Sequence, residues 1–484
     1  MRIAESSRRK RTMKSRKPSR RSILAAVGVA LLTAGLTTGV TGGALADGSG
    51  FSFKKLATIP ARAPGGGTFI NDFEPYAINA GGNAAFVADL ADANGNFTGE
   101  GVFVSRWGQL SAIALPGQAA PGGGKLDGGA LGHTPLNNAG RGAFVYILDP
   151  GGASLGLNAG LYRFSLFDQK PTAVVVPGVT PAPVPAGAKF AGVYFNSSLN
   201  NRDDLVFNGV VPGLAGPPKA NGFGVGVFKA DRWNRIASVV VPGDKAPGGG
   251  VFDDAIEGWI NDAGDTAFDA HVKGEECIDL GSGFELVCGS SVYKLPRNGK
   301  VRSIAHQGDP APGPGGFTYR QAFGPVMNDT GDLVFAGDLT PPPGVSLAVG
   351  VFQHSKGKTT PVVLPGDPLP GGGKFATTAS IPYQYYLNNA GDVTFVAALD
   401  TVDGDGVADT GLYMVSHGKT RLVARTGSDI PGIGTVAHVN SPAYVKSGPL
   451  QAGGIINDGG QIFFEVVLTN NKGVLLVATP RDGR

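Results

Sequence analysis

The stretch "NDAGDTAF", residues 261–268, sets an asparagine, two aspartates and a glycine directly ahead of a short apolar run. Taken alone it has the chemistry of a ligand site. Six further stretches share its spelling: NAGGNAAF from residue 79, NNAGRGAF from 137, NNRDDLVF from 200, NDTGDLVF from 328, NNAGDVTF from 388 and NDGGQIFF from 457. Seven copies at spacings of 58 to 69 residues define a repeating unit, and a repeating unit is scaffold before it is site.

The rest of each unit is periodic as well. A second phrase reads GVF or GLY, beginning at Gly101, Gly160, Gly226, Gly350 and Gly411, with SVY at 291 and GVL at 473. A third phrase follows the pattern of VVVPGDKAPGGG, residues 239–250. In the fourth unit the segments AIEGWI, DTAFDAHV, SVYKLPR and KVRSIAHQ read as four short strands between turns. The 78 glycines and 35 prolines of the 484-residue chain suit this dense punctuation. The expected fold is all-β: a seven-bladed β-propeller of four-stranded antiparallel blades.

The ends test that expectation, because a propeller has to close or leave two bare sheet edges. The C-terminal unit stops after its third strand, GVLLVA at 473–478, while FKKLATIPARAPGGG at 53–67 is a fourth-strand phrase with no unit before it. The N-terminal strand should therefore complete the last blade. An open solenoid would need no such complementarity.

Asparagine and glycine three apart describe a type I turn in a short hairpin loop, with the asparagine side chain capping the turn and the glycine left-handed. The expected turn residues are Asn79 and Gly82, Asn137 and Gly140, Asn200 and Asp203, Asn261 and Gly264, Asn328 and Gly331, Asn388 and Gly391, and Asn457 and Gly460. Aspartate tolerates the left-handed region, so Asp203 fits the pattern. The closing rings Phe86, Phe144, Phe207, Phe268, Phe335, Phe395 and Phe464 read as packing knobs between blades.

The first 21 residues hold ten of the 41 Lys and Arg and one of the 38 acids, leaving 31 bases against 37 acids in the remainder. That acidic body argues against a nucleic-acid binder. The basic region, the apolar run ILAAVGVALLTAGLTTGV and the small-residue site Ala44–Ala46 describe a signal peptide over 1–46, cleaved after Ala46. Ser19-Arg20-Arg21-Ser22-Ile23-Leu24 resembles the twin-arginine pattern; an ordinary secretory signal is the alternative. Residues 47–484 would form one exported propeller domain, periplasmic or extracellular. In an oxidising compartment Cys277 and Cys288 would pair as a disulfide in one long loop.

The repeats resemble a bacterial exported tandem-repeat family known by its NxxGxxAF motif, whose members carry varied C-terminal anchors. The resemblance spans residues 51–479 and brings no established activity. The terminal ATPRDGR lacks the hydrophobic tail of the anchored pattern, which implies a released protein without a membrane anchor.

Propeller topology puts all NxxG turns on one face and the variable loops between second and third strands on the other, which directs function to the loop face. There the stretch DTVDGDGVADTG resembles a calcium loop through Asp403, Asp405 and Asp409, with Thr401 in place of the first ligand. A poorer version uses Asp92, Asn94 and Asn96. Asp244, Asp309 and Asp367 would either form an acidic ring or simply solvate three turns. Calcium is the one cofactor the pattern suggests.

Two functions from different classes follow. The first is a non-catalytic propeller binding a protein or glycan through its loops. The second is a hydrolase or lyase using channel carboxylates with His133 or His438, and a structural envelope component is a third possibility. No G-x-S-x-G or H-E-x-x-H motif is present, so catalysis has no motif behind it.

Overall fold

Strands of four to ten residues with small and large apolar side chains on both faces are stable only when neighbouring sheets cover them. The computed structural model describes residues 50–149, 158–214, 223–275, 277–278, 287–340, 348–376, 384–402, 406–440 and 454–481. In it the seven units form seven antiparallel sheets of four to six strands, with a separate two-stranded ladder, Cys277–Ile278 against Val287–Cys288. Blade four runs Phe252–Ile260, Thr266–Val272, Ser291–Leu295 and Arg302–Ala305, each strand antiparallel to the one before it. The protein is a seven-bladed β-propeller, and no helix among the described residues is long and apolar enough to cross a membrane.

The ring closes as the chain ends require. Gly473–Pro480 of the C-terminal unit pairs with Phe51–Thr58, in a register running from Phe51 opposite Pro480 to Thr58 opposite Val474. Residues 1–46, the expected export signal including its site at Ala46, lie outside the described residues.

The motif phenylalanine sits on the second strand of its blade and is at most 1% exposed in every unit. In six blades it stacks on the aromatic of the GVF or GLY phrase in the third strand. The pairs are Phe86–Phe103, Phe144–Tyr162, Phe207–Phe228, Phe268–Tyr293, Phe335–Phe352 and Phe395–Tyr413, with centroids 5.3 to 5.9 Å apart and planes within 22° to 27°. The glycine of the phrase makes room for this ring: a Cβ on Gly160 would lie 2.5 Å from Tyr162 Oη, and one on Gly411 2.7 Å from the Tyr413 ring.

The NxxG turns are tied to one another. Each asparagine accepts the backbone N–H four residues on through Oδ1, at 2.9 to 3.0 Å. Its Nδ2 donates to the backbone carbonyl of the corresponding asparagine in the next blade, at 2.8 to 3.2 Å. The series runs 79, 137, 200, 261, 328, 388, 457 and back to 79, a closed circle of seven amides. The fourth residue of every turn is left-handed, Asp203 at φ 62° among them.

A parallel circle uses the residue after the asparagine, whose N–H donates to the side-chain oxygen of its counterpart one blade on: Ala80 to Asn138, Asn138 to Asn201, Asn201 to Asp262, Asp262 to Asp329, Asp329 to Asn389 and Asn389 to Asp458. Ala80 has no side-chain oxygen to offer Asp458, so this second circle breaks where the chain ends meet.

Candidate functional site: the channel and the hairpin rim

In blades one to five the first strand carries a bulge opposite or near the motif phenylalanine, for example between Ile256 and Trp259 and between Phe323 and Val326. A bulge turns neighbouring side chains toward the axis or into the gap between blades. His133 of blade two touches rings from blades one, four and six: Tyr76 at 5.6 Å, Trp259 at 6.0 Å and Tyr386 at 6.1 Å between centroids. Contact with non-adjacent blades requires these rings to lie on the axis. They sit within four residues of the NxxG turns and fill the channel at that end. Burial pushes the His133 imidazole down to about 4, so it is neutral at physiological pH.

Two acids, Glu465 and Glu100, are committed to backbone groups. Glu465 of blade seven accepts the N–H of Phe73 in blade one at 3.1 Å, and Asn208 of blade three accepts that of Glu257 in blade four at 3.1 Å. Glu100 accepts from the Ala130 N–H at 2.9 Å, and Tyr76 Oη donates to Glu74. Burial, then the charge of Glu74, raises the Glu100 carboxyl.

Glu257 stands apart. It is 6% exposed, its backbone is left-handed at φ 54°, and its carboxyl lies beside that of Asp269, which is 1% exposed. A bulky residue in that backbone region is uncommon and is held there by its surroundings. Burial lifts the Glu257 carboxyl to about 7, and burial together with the Glu257 and Asp254 charges also holds Asp269 well above the usual carboxylate range. Two carboxyls this close share a proton. Gly324 of blade five packs against Glu257, since a Cβ there would lie 3.2 Å from Glu257 Oε2, so the pair is wedged between blades four and five. No sequence signal marks Glu257, because nothing in the motif foretells a left-handed glutamate.

The remaining expected site residues are dispersed. Asp403 and Asp405 lie outside the described residues. Asp409 accepts Thr401 Oγ1 at 2.7 Å and lies 3.5 Å from Arg425 Nη2. Asp92 closes its own loop on the N–H groups of Asn94 and Asn96 at 2.8 and 2.9 Å. Among the described residues no cluster of three or more His, Cys, Asp or Glu could hold a metal ion. Asp244, Asp309 and Asp367 each accept a backbone N–H three residues back, from Val241, His306 and Leu364, and so close separate turns. Backbone register sets Cys277 opposite Cys288, and their side chains lie outside the description. His438 lies on the first strand of blade seven.

The hairpins joining third and fourth strands share a face with the NxxG turns: Trp107 N–H donates to Asn83 Oδ1 at 3.1 Å and Arg297 N–H to Asp265 Oδ1 at 3.0 Å. Their tips expose large rings in three successive blades, Trp107 at 75%, Phe167 at 70% and Trp233 at 67%. The Arg106 guanidinium lies 4.3 Å from the Trp107 centroid and 4.6 Å from that of Phe167, and Arg232 lies 4.8 Å from Trp233. On the same face a cleft of about 710 Å³ opens between blades four and five, walled by Asp265, Lys294, Arg302, Asp332, His354 and Lys356. Loop-length variation had directed attention to the opposite face. The signal for this one was two tryptophans in hairpin turns, each beside an arginine.

Fold and site together define a closed propeller with a plugged axis and an aromatic, basic hairpin rim. The chain belongs to a family of unknown function, DUF7453, which matches residues 19–283 and again 280–475. No curated protein matches it. Among solved structures it is similar to an oligogalacturonate lyase from Vibrio parahaemolyticus, at 11% identity and TM-score 0.46 over 89% of this chain and 98% of that one. It is also similar to the β-propeller domain of the Trilobed protease from Pyrococcus furiosus, at 10% identity and TM-score 0.45 over 86% and 97%. The polysaccharide lyase Uly1 aligns at 9% identity and TM-score 0.43 over 87% and 92%.

Proposed function

We propose that the protein is an exported, non-catalytic propeller that binds a protein or glycan. The observation that supports this reading is the rim: three large rings at equivalent hairpins, each at least two-thirds exposed and each beneath an arginine. Exposed aromatics grouped with arginine have the composition of a binding hot spot. The axis, where a propeller enzyme would gather its groups, is filled by the rings around His133.

Glu257 and Asp269 favour one competing reading, a hydrolase or lyase, because a shared-proton carboxyl pair with an elevated Glu257 is poised for general acid–base work. Both readings are tested by incubating residues 47–484 with neutral and acidic polysaccharides and following retention and product together. Saturable retention without new reducing or unsaturated ends is expected. Product whose formation stops in Glu257→Gln and Asp269→Asn would replace binding with catalysis.

In an exported protein Cys277 and Cys288, which face each other across their short ladder, would close a disulfide. An unreduced mass identical to that of the reduced protein would rule it out.

A further inference from the structure

We infer that the hairpin rim binds an acidic polysaccharide, its rings stacking on sugar faces and its arginines pairing with carboxylate or sulfate groups. This rests on the binding reading above and gives it a ligand class.

The rings are not required by the fold. Trp107 occupies the left-handed first position of its tight turn at φ 53°, and the same position is filled in blades five and six by Lys356 at φ 51° and His417 at φ 50°. A polar residue serves there, so the apolar surface of Trp107 stands exposed without a folding reason. The tips are also held in place. Arg163 of blade two donates to the carbonyls of Ala230 and Asp231 at 3.1 and 3.0 Å and to Asn234 Oδ1 at 3.0 Å, which fixes the hairpin of Trp233. A preorganised ring spends less of its binding energy on ordering.

Charge supplies the second observation. The body after residue 21 is acidic, yet the six hairpins on this face, taken with the strand residue on either side, hold ten Lys and Arg against Asp168 and Asp231. Arg106, Arg232, Arg297, Lys356, Lys358 and Lys419 spread this charge from blade one to blade six, past the cleft between blades four and five. The NxxG turns on the same face carry eight aspartates, from Asp203 and Asp204 of blade three to Asp458 of blade seven, so it is the hairpin tips, not the face as a whole, that attract polyanions. Guanidinium groups lying over indole faces keep their N–H edges available for carboxylate or sulfate. Arg106 covers one face of Trp107 and one of Phe167, and at 75% and 70% exposure the rest of each ring stays open to a sugar. The acidic body after residue 21 weighs against a nucleic acid as the polyanion.

The test is native affinity electrophoresis of residues 47–484 in gels containing polygalacturonate, dextran sulfate, uncharged dextran or poly(dT). Retardation by polygalacturonate, dextran sulfate or both is expected, and the two arms separate carboxylate from sulfate recognition. Trp107→Ala with Trp233→Ala should weaken it by roughly tenfold or more, with an unchanged melting temperature because both side chains are exposed. Arg106→Lys, which keeps the charge and loses the planar fork, should weaken it less. Equal retardation by dextran, retardation by poly(dT) alone, or none in either acidic gel would overturn the inference. Retention that survives loss of both tryptophans would overturn it too, since charge alone would then explain it. Binding to dextran leaves the broader binding reading standing, whereas breakdown of a polymer removes both.

Discussion

Blades four and seven build the same four-stranded sheet from different material. Blade four is continuous in sequence. It stacks Phe268 on Tyr293 at 5.6 Å and ties itself to blade five through both the asparagine circle and the Asp262–Asp329 contact. Blade seven is assembled from the two ends of the chain. Opposite Phe464 it has Leu476 in place of an aromatic, and it meets blade one through the Asn457–Asn79 tie without the second contact. At this junction one of the two turn ties is missing, and the pairing of Gly473–Pro480 with Phe51–Thr58 binds blade seven to the strand that runs on into blade one.

The harshest way to break this comparison is to delete residues 50–59. Blade seven would lose its outer strand and expose a bare edge, and the expected loss is on the order of 5 kcal/mol or more, comparable with the stability of a whole domain. Soluble yield and the cooperativity of thermal unfolding report it. A deletion variant that melts like the parent would show that closure does not depend on this strand.

The ring stacks come next. Phe268→Ala should cost about 3 to 5 kcal/mol, as for other large core rings. Phe464→Ala should cost less by roughly 1 kcal/mol, because Phe464 has only an edge contact with Phe53, at 6.4 Å and 68°. Denaturant unfolding of the two variants measures the difference. An equal or larger loss at Phe464 would contradict the claim that blade seven is the less redundant one.

Blade four carries a liability of its own. Folding raises the Glu257 carboxyl from its ordinary 4.5 to about 7, so between these values the folded state binds the proton more tightly than the unfolded chain. Stability from this group is complete below pH 4.5 and is lost as pH rises toward 7, by a few kcal/mol at most at about 1.4 kcal/mol per unit. Glu257→Gln cannot titrate and should lose less stability than the parent between pH 5 and pH 8. Parallel melting curves would refute the shared-proton account.

The smallest effect is a repair. Ala80→Asp or Ala80→Asn would give the Asp458 N–H the acceptor that every other blade supplies, for a gain of about 0.5 to 1 kcal/mol. The same change placed outside the circle should give nothing. A neutral result at residue 80 would mean that the second circle contributes little anywhere.

The sequence displayed its ring count and its closure because both are written as repeated text: seven NxxG phrases, and a C-terminal unit lacking the phrase found at residue 53. Other features were hidden for physical reasons. Asn261 reads as a local cap, and its spacing within the unit says nothing of a partner 67 residues away at Asn328. The GVF phrase is visible as a recurrence, but that its ring lies over the motif phenylalanine emerges only from strand register. Glu257 occupies a backbone region no propensity would assign to glutamate. The rim was legible in its residues, Arg106-Trp107 and Arg232-Trp233, while its orientation depended on which loops share a face.

The circle of asparagines bears on how such a molecule could change its size. Every turn presents the same outgoing amide and the same incoming carbonyl, so the links run head to tail and no turn is a designated first or last. A duplicated unit would arrive with both halves of the connector, and a deleted one would leave two halves that match. The number of blades is therefore not written in the motif; it is left to the wedge angle of the packed sheets, and the same connector would serve a ring of six or of eight.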